Sequence, residues 1–253
     1  MEAPITVISS NIRFDNPADG VNQWSKRKDH LAKTLLSQFP LIIGTQEGRE
    51  PQLREMAQLL PGYRMIDFNR EWLSERMYPS FFVKTDTVTV LDCGDIWLSE
   101  TPHIPGSSSF DSAFPRLCTW LKVEINKTNW LFANVHLDHV KLSTRLAQAS
   151  VLGEEINKIK TTEKLIILGD FNDSPQSELR DHLLSHFPTL HDPWLGPEES
   201  SHHPFTGDHP EGSRIDWILV ESQFKNSEMK MLKDSHQGHW PSDHFPICCH
   251  IKV

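Results

Sequence analysis

Ile5–Asn11 is a β-branched run bounded by polar residues, which predicts a strand running out into a loop. Leu31, Leu35, Leu36 and Phe39 then recur at helical spacing behind a capping Ser25, predicting a helix that stops at Pro40. Residues 41–46 read as a short buried strand with Glu47 just past its end. A second helix after Pro51 turns Leu53, Met56, Ala57 and Leu60 inward and ends at Pro61-Gly62. Strands are expected at 63–67, 80–84 and 87–98, at Leu117–Ile125 and 130–136 around the turn Asn126-Lys127-Thr128-Asn129, and at 165–169, 214–220 and 245–253. Helical spacing marks 142–160 and 176–187. Residues 99–116 and 191–213 are rich in turn-forming residues and read as long loops, which are often functional. Strands and helices intermix without the alternation of a parallel barrel, so mixed sheets in an α/β arrangement are expected. No linker-like or repeated segment divides residues 1–253, which read as one domain.

Composition narrows the function. Among 253 residues, 34 acidic side chains outweigh 25 basic ones. A net charge of -9 speaks against nonspecific binding to long duplex DNA, which needs a broad basic face. It leaves room for a local basic pocket around one phosphate. No apolar run reaches the length of a membrane span and no secretory start is visible, so a cytoplasmic monomer is expected, without a membrane partner. Cys93 and Cys118 lie in strand-like stretches, and the adjacent Cys248 and Cys249 would face opposite sides of a strand. All four read as buried, reduced thiols rather than a disulfide frame.

Polar residues interrupt the strand ends in a repeated way. Asn11, Glu47, His136, Asp170 with Asn172, Asp216, and Asp243 with His244 each lie within or just beyond an apolar run. Strand ends converging at one sheet edge would gather them around one cleft. Glu47, Asn11 and Asp243 offer the oxygen donors that a hard cation such as Mg²⁺ takes, with Mn²⁺ able to substitute. Such an ion neutralises a phosphate ester and lowers the barrier to attack. Asp170 is suited to deprotonate the attacking water, and Asn172 should point the same way from an extended segment. His136 and His244 can donate to the charge of the transition state, with Asp216 holding one nitrogen of His244. Arg13, Arg116, His139 and Trp240 are further candidates at the substrate phosphate or its neighbouring group.

Gly169-Asp170-Phe171-Asn172 followed by Pro175, then Arg214-Ile215-Asp216-Trp217-Ile218 and Ser242-Asp243-His244-Phe245-Pro246, resemble the C-terminal signatures of the endonuclease/exonuclease/phosphatase family. Ser10-Asn11, Gln46-Glu47 and Asn134-Val135-His136-Leu137 resemble the earlier ones. The resemblance runs in order from residue 5 to residue 250 and implies a DNase I-like, four-layer α/β/β/α sandwich of two mixed sheets with a divalent-metal site at one end. It implies Glu47 as principal metal ligand, Asp170 as acid/base, Asn172 at metal or phosphate, and Asp216–His244 on the phosphate. DNA-repair members carry a tyrosine where this chain has His136, and Arg13 stands where some relatives have a second acidic group, which points to one metal rather than two. Asn22-Gln23-Trp24 with Arg27, residues 97–102, and Pro115-Arg116 with Thr119-Trp120 resemble a bacterial and fungal branch. The substrate expected is a small phosphorylated molecule, a nucleotide or a single-stranded nucleic-acid end, as monoester or diester. Two rivals stand beside this. One is a zinc hydrolase of the metallo-β-lactamase type, since residues 134–139 nearly match HxHxDH; the other is an inactive member that only binds a partner.

Overall fold

The computed structural model describes residues 4–68 and 70–252. Its strands form two six-stranded mixed sheets. In the first, β11 (Glu228–Met231), β12 (Ile247–Ile251), β1 (Ile5–Asn11), β2 (Ile42–Gly48), β4 (Tyr78–Lys84) and β3 (Tyr63–Ile66) lie side by side. The second runs β5 (Thr89–Trp97), β6 (Leu117–Ile125), β7 (Thr128–His136), β8 (Lys164–Asp170), β10 (Asp216–Glu221) and β9 (Leu190–His191). The central strands are apolar on both faces because both faces are covered. Phe81, Phe132, Trp130 and Ile218 fill the layer between the sheets. Helices α1 (Trp24–Leu36) and α2 (Glu50–Leu59) cover the outer face of the first sheet through Leu31, Leu35, Leu53 and Met56. Helices α3 (Leu142–Ile159) and α4 (Glu178–His186) cover the second through Ala149, Leu152, Leu179 and Leu183. The result is the expected α/β/β/α sandwich. None of the helices described is long and apolar enough to cross a membrane.

Several local expectations shift. The first helix starts at Trp24 with Gln23 as its cap, one residue before Ser25, and ends at Leu36. Phe39 has a φ of 50° and is 79% exposed, so it leaves the apolar face instead of closing it. Asn126 and Lys127 both take positive φ, forming the two-residue turn whose twist suits a β-hairpin, and Thr128 and Asn129 already belong to β7. Cys248 and Cys249 do face opposite sides, one against the helices and one between the sheets.

A buried amide ties the two sheets beneath their common edge. Asn134 on β7 is fully buried, donates to the carbonyls of Thr45 and Ser80 at 3.0 Å each, and accepts from Gln46 at 2.7 Å. Asn134→Leu would take one hydrogen bond from each of three partners in a dry interior, leaving Gln46 only its longer bond to Ser9. Leaving such groups unpaired costs about 1–3 kcal/mol each, so a loss of about 3 kcal/mol in unfolding free energy is expected in a denaturant titration. A change below 0.5 kcal/mol, roughly the noise of surface substitutions, would show that these bonds do not matter.

Candidate functional site

Strand register places three side chains in one row. β7 and β8 run parallel with His136 opposite Asp170, and β10 runs antiparallel to β8 with Asp216 opposite Asp170. Adjacent strands are about 4.8 Å apart, so the row delivers an imidazole and two carboxylates to one end of the sheet. Gly169 permits the approach: its φ is 144°, and a Cβ there would run into the backbone of Val135.

The first sheet supplies the opposite wall. Asn11 ends β1 beside Gln46 on β2, and a register shift after Thr45 turns Glu47 outward with a φ of 66°. A left-handed glutamate is strained, and such strain concentrates at functional positions. One Glu47 oxygen accepts from the Asn11 amide at 3.1 Å and the other from the Phe14 backbone at 3.1 Å. The Asn11 amide nitrogen also donates to Asp170 at 2.9 Å, while its oxygen accepts from the Arg13 backbone. Asn11 therefore turns its nitrogen, not its oxygen, to the carboxylates. In this arrangement it braces Glu47 and Asp170 across the sheets.

Asp243 and His244 enter from the segment before β12. The His244 Nδ1 lies 2.8 Å from Asp216, and its Nε2 lies 4.0 Å from Asp170. Burial alone would lower the His244 pKa, but Asp216, with Asp170 and Asp243 nearby, outweighs it and pushes it up to about 10. His244 is thus a cation at neutral pH. Asp170 moves the other way from an ordinary carboxylate: burial, reinforced by the charge of Asp216, raises it to about 7. His136, 3.5 Å from Asp170, is held neutral by burial and by the positive charge of Arg116.

A cavity of about 280 Å³ opens on this cluster. It is lined by Glu47, His136, Asp170, Asn172, Asp243 and His244, and also by Arg13, Arg116 and His139. Glu47 and Asp243 therefore share one cleft, while Asn11 and Asp216 stand behind it. Asn172 does not continue an extended segment. Its φ is 53°, its backbone donates to Asp170 and its amide nitrogen to the Leu137 carbonyl, a turn stabilised by the aspartate. Arg13 pairs with Asp19 at 3.0 Å and lies 3.7 Å from Asp243. Trp240 does not reach the cleft. It packs edge-on against His203 and Phe245, as a prop under the loop.

The HxHxDH arrangement is not assembled. Asn134 is buried between the sheets, and Asp138 accepts backbone hydrogen bonds from Ala113, Val140 and Lys141, a brace between loop 99–116 and α3. Arg214 pairs with Asp192 and Glu198, which leaves Asp216 to His244. Arg27, which is not in the cleft lining, holds the carbonyls of Ile12, Arg13, Asn22 and Pro241.

One cleft residue has no sequence signal. His202 pairs with His244 in an isolated antiparallel bridge, with the His203 backbone N–H donating to the Asp243 carbonyl and that of Phe245 to Ser201, both at 2.8 Å. That makes the two histidines a non-hydrogen-bonded pair, where facing side chains come closest. Their rings are 4.8 Å apart, and the His202 Nε2 lies 4.0 Å from Asp243. Only the repetition of polar residues around residue 200 could have hinted at it.

The chain is similar in family and fold to known proteins. A model of the Endonuclease/Exonuclease/phosphatase family matches residues 8–244. Mannosyl-6-phosphatase of Bacteroides thetaiotaomicron VPI-5482 is 28% identical with a TM-score of 0.85, covering 98% of this chain and 100% of that one. An endonuclease/exonuclease/phosphatase of Bacteroides vulgatus is 25% identical with a TM-score of 0.87, over 100% of both chains. The catalytic domain of human Nocturnin shares the fold at 21% identity and a TM-score of 0.75, over 99% of this chain and 93% of that one. No curated protein matches.

Proposed function

The chain belongs to the endonuclease/exonuclease/phosphatase family, a family of phosphoester hydrolases, and from that premise we propose a Mg²⁺-dependent phosphoesterase acting on a small phosphorylated molecule or a nucleotide end. The observation that carries this reading is the meeting of Glu47, Asp170, Asp243 and His244, far apart in the chain, around one cavity. Its volume of about 280 Å³ is at the small end for ligand sites, which favours a compact substrate over a polymer threaded through it. The likeness to a mannosyl-6-phosphatase makes a sugar phosphate the first substrate to try.

The donor set fits a hard divalent ion. Asp170 is raised to about 7 by burial beside Asp216 and Glu47, a crowding of carboxylates that a cation would relieve. Glu47 and Asp243 would hold the ion, which when bound neutralises the phosphate and polarises its oxygens. Asp170 accepts a proton from the attacking water as the water oxygen bonds phosphorus. A carboxylate poised near neutrality is efficient at that task. The ester P–O bond breaks, the departing oxygen takes a proton from solvent, and the cationic His244 meets the charge growing on the phosphoryl oxygens. Asp216 fixes the tautomer and charge of His244, and the neutral His136 adds a hydrogen bond.

Chelation tests the reading. Protein stripped with EDTA should lose hydrolysis of p-nitrophenyl phosphate and of sugar phosphates, and recover it with Mg²⁺ or Mn²⁺. Turnover that survives chelation, or that only Zn²⁺ restores, would refute the oxygen-ligand site.

A further inference from the structure

Arg116 is a buried arginine that makes no direct ion pair; Glu47, Asp170 and Asp138 favour its charge only from beyond salt-bridge distance. The side chains of Arg70, Arg145 and Arg214 are also shielded, and each holds a carboxylate within 2.8 Å. Arg27 saturates itself on backbone carbonyls. Arg116 is 6% exposed, pairs with no carboxylate among the described residues, and has an Nε without a hydrogen-bond partner. Its one side-chain contact of this kind is to the His139 Nδ1 at 3.3 Å. A buried guanidinium without a direct partner is costly, and one with an unused donor at the edge of the cleft is placed to take an anion there.

The setting is built to hold this fork still. Phe114 stacks on His139 with ring centroids 5.9 Å apart and planes at 17°, and the Arg116 guanidinium carbon lies 5.9 Å from the Phe114 centroid. Asp138 anchors the backbone at Ala113. Arg116, His139 and Phe114 form one wall of the cavity that contains Glu47 and Asp170.

We propose that Arg116 makes this cleft selective for phosphomonoester dianions over phosphodiesters, which deepens the hydrolytic reading above and rests on it. A monoester carries close to two negative charges at neutral pH and one more anionic oxygen than a diester. A planar fork with a free donor suits that additional oxygen. Where a diester carries an esterified, uncharged oxygen instead, Arg116 stays buried without its anionic partner in the complex, and sites with a stranded polar group reject such analogues strongly.

Wild type, Arg116→Gln and Arg116→Lys are assayed with p-nitrophenyl phosphate and bis(p-nitrophenyl) phosphate in Mg²⁺. Melting of each metal-free protein is followed with and without inorganic phosphate. Wild type should favour the monoester, and Arg116→Gln should lower the monoester-to-diester ratio of kcat/KM by about 10²-fold. Arg116→Lys, which keeps the charge and loses the fork, should retain more of that ratio. Phosphate should raise the melting temperature of wild type but not of Arg116→Gln, which without phosphate should melt no lower than wild type. An active wild type whose Arg116→Gln variant loses both esters equally, or keeps the phosphate shift, overturns the selectivity alone. A wild type that hydrolyses neither ester overturns it together with the hydrolytic reading.

Discussion

Asp170→Asn is expected to lower kcat by about 10³-fold, the range for losing a positioned general base. Asp170 is buried at the centre of the row, touches Asn11 and Asn172, and is the carboxylate best placed to accept a proton. Its folded pKa of about 7 lies above the usual 3.8, so the folded protein binds that proton more tightly than the unfolded chain. Ionising it therefore weakens the fold as pH climbs from 3.8 to about 7. The isosteric amide is never ionised but must set its NH2 against one of the two donors, Asn11 or Asn172, so the stability of metal-free Asp170→Asn relative to wild type starts lower and should rise across that interval. Saturation kinetics on a chromogenic phosphoester and denaturant titrations from pH 4 upward measure both effects. A variant within tenfold of the wild-type rate would remove Asp170 from the reaction.

His244→Gln should cost about 10²-fold in kcat, in keeping with the loss of one preorganised donor to the transition state. It should also reshape stability at the alkaline end. The His244 pKa of about 10 is above the usual 6.5, so the stabilisation from its bond to Asp216 is complete below 6.5 and disappears as pH rises through about 10. Metal-free wild type should lose unfolding free energy over that span, and the glutamine variant should lose less. Parallel curves for the two proteins would place the charge on some other group.

The strands of the central core were legible because two covered faces require near-continuous apolar runs, and the polar residues that end those runs sit at the cleft. Order and spacing did the work at Glu47, His136, Asp170, Asp216, Asp243 and His244. What escaped was decided by contacts between distant segments. His202 reaches the cleft through a backbone bridge to His244, a pairing with no local signature. Which end of the Asn11 amide faces inward depends on Glu47 and Asp170 lying on the same side of it. Trp240 looked like a stacking platform beside Pro241-Ser242-Asp243, yet its surroundings, His203 and Phe245, made packing the outcome. β11 passed unnoticed because Glu228–Met231 is only four residues long, has no β-branched or aromatic residue and forms an edge against β12. Asn172 was expected to be extended; the Asp170 carboxylate, accepting from its backbone, bends the chain there.

The alignment of His136, Asp170 and Asp216 separates what evolution can change from what it cannot. Inserting a single residue in the middle of β8 would invert the orientation of every side chain after it and swing Asp170 away from its partners. Lengthening the loop between residues 103 and 113, or between 193 and 199, disturbs no ladder. New leaving groups can thus be acquired by rebuilding the rim while the hydrolytic apparatus is inherited intact.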